Sequence, residues 1–219
     1  MKILAGVMVA AGVLWAHDIS SQVTWAREIS RFNARHCESC HRAGGSSFPL
    51  ETFEQAQARA KDIAKAVLDR SMPPFGTVKG FGELREDQSL TQEQIEMVIL
   101  WVQGGAPQGN PALAPKAPEK IAAPPAEPRT GEEWIAGSGK TLAAERSFIA
   151  IRPKTLDADS VRVIAERPDG SVEPLIWFYR YDPKFPRTYY FRKPVKLPAG
   201  TRIVASTPGA RVALVAPAR

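Results

Sequence analysis

Seven prolines fall between residues 107 and 128, at Pro107, Pro111, Pro115, Pro118, Pro124, Pro125 and Pro128. Proline fixes φ and carries no amide hydrogen, so a segment this rich in it stays extended and cannot pack as a core. It acts as a semi-rigid tether between two stretches of different periodicity. Before it the apolar residues recur at helical spacing; after it they alternate.

Trp25, Ile29 and Phe32 are spaced by four and three residues, which predicts a helix running towards Cys37. Thr52 followed by Gln55 is a capping box, and Phe53, Ala56, Ala60, Ile63 and Val67 continue a second helix to about Arg70. Thr91 with Gln94 opens a third, whose stripe of Ile95, Val98, Ile99 and Val102 stops at Gly104 and Gly105. Beyond the tether, "RSFIAIR", "SVRVIAERPDGSVEPLIWFYRY", "RTYYFRKPVKLP", "GTRIVAS" and "ARVALVA" read as about six short strands broken by turn residues. The fold class expected is therefore α plus all-β in two domains. A small α-helical domain spans residues 22–108, a Pro-rich linker 109–130 and an antiparallel β-sandwich 131–219.

Residues 1–21 read as an export signal. One lysine precedes an apolar run from Ile3 to Trp15, too short for a membrane span of ~20 residues but the length of a leader's hydrophobic region, with a cut expected after Ala16. Export places the protein in the periplasm, or on the membrane if the leader is retained, and its two cysteines in an oxidising compartment. The net charge of +6 lies beyond the tether: residues 132–219 carry 15 basic and 9 acidic side chains, whereas residues 1–131 carry 14 of each.

The stretch "RHCESCHRAGG" holds both cysteines, Cys37 and Cys40, and two of the three histidines, His36 and His41. A disulfide would close a very small loop and leave His41 without a role. A thioredoxin-like redox pair belongs after a strand, whereas the residues before Cys37 look helical. A tetrahedral zinc site lacks a fourth ligand, because His36 is adjacent to Cys37 and only His17 remains. Covalent haem attachment accounts for all three side chains: two thiols add to the porphyrin vinyl groups, and the histidine that follows ligates the iron. No histidine follows His41, so the second axial ligand falls to methionine. Met97 lies inside the third helix as a packing residue, while Met72 stands in "RSMPPFG", where two prolines stiffen the chain behind it.

Residues 22–108 resemble a class I c-type cytochrome, and more closely the cytochrome domains of exported bacterial multidomain proteins that show "CxSCHR", "MPPW" and "WVxGGAP". The resemblance implies haem c bound covalently at Cys37 and Cys40, with His41 and Met72 as proximal and distal iron ligands. Phe75 stands where those domains often have tryptophan. Part of the basic module, from Glu166 to Ile203, is similar to the β-sandwich of copper-dependent monooxygenases. No Cys, His or Met occurs after Met97, so the copper chemistry of that family does not carry over.

The function expected is one-electron transfer between exported redox partners through a single His/Met-ligated haem, as a carrier rather than an enzyme. The alternatives are an electron-entry subunit of a larger oxidoreductase and a haem-based sensor with an open iron position. The basic sandwich, with Trp177, Tyr179, Arg180, Lys184, Arg187, Tyr189, Arg192, Lys193 and Lys196, suits docking to an acidic redox protein or an anionic membrane surface. Neither nucleic acid nor a small-molecule substrate is expected.

Overall fold

Two four-stranded antiparallel sheets face each other across the largest core of the molecule. The computed structural model describes residues 22–115 and 126–218; the segment expected to be an export signal and the middle of the Pro-rich segment lie outside the described residues. The strands are β1 (Thr130–Gly137), β2 (Lys140–Thr141), β3 (Arg146–Thr155), β4 (Ser160–Glu166), β5 (Val172–Tyr179), β6 (Tyr189–Leu197), β7 (Arg202–Ala205) and β8 (Arg211–Pro217). One sheet has the order β1-β8-β3-β6 and the other β2-β7-β4-β5. Alternation places Val161, Val163 and Ala165 of β4 in the core opposite Phe148, Ile151 and Leu214 of the other sheet. The prolines within strands fall where a missing donor does least harm. Pro174 and Pro194 are on the end strands β5 and β6, and Pro153 adjoins a register shift of β3 against β8.

Four short helices precede the strands: α1 (Ser30–His36), α2 (Phe53–Ala58), α3 (Ala60–Leu68) and α4 (Gln92–Gln103). A π-helical turn, Trp25–Ile29, leads into α1, which ends immediately before Cys37. The second expected helix is broken in two at Arg59, whose φ of −117° and ψ of 16° leave the helical basin. Thr52 and Thr91 each form the capping box that their spacing to Gln55 and Gln94 predicts. Trp25, Ile29 and Phe32 pack with Ile95, Val98 and Trp101 in a second apolar cluster. The first-turn amides of Trp25 and Ala26 donate to the carbonyls of Pro107 and Gln108, at 3.0 and 2.9 Å.

The small helical cytochrome domain expected from the sequence is not formed. The described residues are mostly β, with eight strands against four α-helices of six to twelve residues. The physical reason lies in the segment between α3 and α4. Phe75 and Leu84 are buried in the sandwich core rather than among the helices. Thr77 pairs with Phe178 beside β5, and Leu84 pairs with Phe191 beside β6. The Val78 amide donates to the Trp177 carbonyl (3.0 Å), and the Arg85 amide to the Tyr190 carbonyl (2.7 Å). One segment thus covers the exposed edge of an end strand in each sheet, removing two rows of unpaired backbone groups. Gly82 allows the approach: a Cβ there would lie 2.1 Å from the Leu175 carbonyl oxygen, and its φ is +82°.

Candidate functional site

The two cysteines and His41 lie in one tight turn at the end of α1. The Cys37 amide closes the helix on the Asn33 carbonyl at 2.8 Å, and the amides of Cys40 and His41 both donate back to the Cys37 carbonyl, at 3.1 and 2.9 Å. The chain then doubles back, with Ser47 donating to the Cys40 carbonyl and Leu50 to the His41 carbonyl (2.9 Å). Asn33 clamps the return: its side-chain amide donates to the Leu50 carbonyl at 2.7 Å and to the Glu38 carboxylate at 3.0 Å. The polar Asn33 is buried, and these two bonds engage its side-chain nitrogen.

His41 is 9 % exposed. Its Nδ1 lies 2.9 Å from the Phe48 carbonyl oxygen, and the Phe48 ring meets the imidazole edge-on at 4.7 Å. A carbonyl can only accept, so Nδ1 carries the proton in this contact and the lone pair of the neutral ring resides on Nε2. Metal-bound histidines commonly show this arrangement, in which an outer carbonyl fixes the tautomer and orientation of the ligand. Arg59 in turn holds Phe48, its guanidinium 4.2 Å from the ring centroid.

Both thiols are free. Cys40 is exposed, and Cys37 is half-buried against the helical cluster. Burial, with the neighbouring Glu38 and Cys40 adding to it, pushes the Cys37 thiol up to about 12. A redox-active cysteine needs the opposite shift, towards thiolate near neutrality, so Cys37 lacks that activation. Among the described residues no group of three or more His, Cys, Asp or Glu side chains is placed to hold a metal ion. His36 is turned away from such a role: its Nε2 lies 3.1 Å from the Gln94 amide nitrogen, and its ring stacks on Phe32.

Met72 is on a separate loop after α3, with its amide donating to the Ala66 carbonyl at 3.3 Å. The side chain is 38 % exposed and borders a small cleft with Val67, Arg70, Thr77 and Leu90. Met97 packs against the helical cluster, as do Trp25, Phe32 and Trp101, which accounts for these residues without a redox role. The donor set fits a covalent haem on the side of the cysteine turn. Two unpaired sulfurs flank one turn and an imidazole next to them is pre-set with Nε2 as its lone-pair nitrogen, whereas Met72 lies apart from them on its own loop.

The cationic face of the sandwich is partly spoken for within the chain. Arg180 donates to the Asp69 carbonyl at 3.3 Å and lies 3.8 Å from its carboxylate; Arg192 lies 3.6 Å from Glu83. Tyr189 is buried, and Arg162 covers the Trp177 ring at 4.0 Å. Sequence reasoning missed Asn33, which organises the turn together with Phe48. An Asn inside a helix four residues before Cys37 was the available signal, since that residue type is unfavourable there unless its side chain has a task. No family model matches the chain, and neither does any curated protein or solved structure. Among the described residues no helix is long and apolar enough to cross a membrane.

Proposed function

We propose that this chain binds one haem c covalently through Cys37 and Cys40, with His41 and Met72 as iron ligands, and passes single electrons between exported redox partners. The observation that carries the reading is the contact between His41 Nδ1 and the Phe48 carbonyl, in the same turn as both free thiols. When bound, haem supplies one-electron exchange at its iron.

The chain's own residues then have defined tasks. The Phe48 carbonyl keeps the proton on Nδ1 and fixes the ring, so that Nε2 is the donor. Asn33 ties the end of α1 to Leu50, holding the cysteine turn against the loop that carries Phe48. Met72 is presented by a chain segment anchored on Ala66, and a thioether ligand raises the potential relative to a second imidazole. The excess of basic residues beyond position 131 favours an acidic redox partner.

The test is an optical spectrum of protein matured by a haem-attachment system, with a haem stain after denaturing electrophoresis. Stain that survives denaturation, and is lost when both cysteines become alanine, supports the reading; a colourless protein contradicts it. A second reading, a haem-based sensor, draws on the exposure of Met72. Carbon monoxide uptake by the reduced protein at neutral pH separates the two, because a firmly held thioether blocks it.

A further inference from the structure

A cleft of about 630 Å³ opens on the far side of the segment that carries Phe75, where residues 85–88, residues 127–128, β3 and residues 181–190 meet. Its size falls within the range of small-molecule sites. Four cations line it: Arg85, Arg152, Lys154 and Arg187. Three already have carboxylate partners. Arg152 and Lys154 share Glu133, at 2.5 and 2.7 Å, and Arg85 pairs with Glu86 at 3.4 Å.

Arg187 is different. Its guanidinium stacks 4.7 Å from the Phe75 ring centroid, and its Nε is buried with no hydrogen-bond partner. Among the described residues no salt bridge joins it to a carboxylate. A guanidinium that lines the cleft without a carboxylate partner is a receptor for a planar anion. The walls beside it are aromatic and rigid: Tyr189 is locked by donating to the Phe75 carbonyl at 2.5 Å, and Tyr181 and Tyr190 continue the surface. The rim carries Glu86 and Glu127, the latter accepting from the Tyr190 hydroxyl at 3.1 Å. These carboxylates disfavour a doubly charged phosphate, for which one unpaired cation is poor compensation.

We infer that this cleft binds a small organic carboxylate with a flat apolar body, its carboxylate on Arg187 and its body against Tyr181 and Tyr190. The site is independent of haem attachment.

The experiment is isothermal titration calorimetry of the full chain with benzoate as probe, beside benzamide as its neutral isostere and inorganic phosphate as a competing anion. Benzoate is expected to bind in the millimolar range or tighter, at least roughly tenfold more tightly than either of the others. Arg187→Gln is expected to weaken benzoate by a similar factor, with Arg187→Lys between the two. Equal binding of benzoate and benzamide, tighter binding of phosphate, or no heat with benzoate overturns the inference on the unaltered protein, whether or not the variants fold. Heat of binding needs no bound haem, so a colourless preparation leaves this test intact.

Discussion

Gly45 has no room for a side chain. A Cβ there would meet the Cys40 carbonyl oxygen at 2.4 Å and that of Arg42 at 3.0 Å, both backbone atoms that cannot yield without opening the turn. Gly45→Ala is therefore expected to cost about 1–3 kcal/mol of stability and to lower the yield of haem-attached protein, read by thermal unfolding and haem stain. Asn33→Ala strips the buried Leu50 carbonyl of its donor, at a cost of about 1–3 kcal/mol by denaturant titration. His36 supplies a pH-dependent test. Burial, with Lys79 and Arg35 adding to it, holds its pKa below the ordinary 6.5. The unfolded chain then takes up this proton before the folded one does, so the contribution of His36 is present above 6.5 and is lost as pH falls through the lower folded value. His36→Gln should flatten the acid side of a melting-temperature profile, and an unchanged profile would count against burial of the neutral ring.

At the level of elements, the caps were legible in the sequence and the edges were not. Thr91 and Gln94 announce the start of α4 because a capping box is a local device of four residues; Thr91→Ala should cost about 1 kcal/mol of stability. The strands from β3 onward follow from alternation, but β1 and β2 escaped notice, β2 because two residues carry no period. The turn of Cys37, Cys40 and His41 could be read from spacing alone. Its supports, Asn33 and Phe48, could not, since hydrogen bonds to the carbonyls of Leu50 and Phe48 depend on how the loop returns. The cleft around Arg187 left no trace in the sequence, because four separate segments build it. The helix expected to run to about Arg70 ends at Leu68 and breaks at Arg59, for which no proline or glycine gave warning.

Over the whole molecule, the fold class is what hydrophobic spacing misjudges. A Pro-rich tether between helical and alternating stretches argues for two independent bodies, yet the segment holding Phe75, Thr77 and Leu84 crosses over to complete the sandwich. Residues distant in sequence made that contact, and hydrophobic spacing reports only neighbours. A fragment of residues 22–115 would expose Phe75 and Leu84, and it is expected to lack a cooperative melting transition where the full chain has one. A fragment that melts sharply alone would restore the independent helical body.

Covalent haem at Cys37 and Cys40 is tested most directly by intact mass spectrometry of protein matured with a haem-attachment system. The predicted result is a single species heavier than the mature polypeptide by one haem, with the Cys37→Ala, Cys40→Ala double variant at the bare polypeptide mass. A wild-type mass equal to that of the polypeptide alone contradicts it.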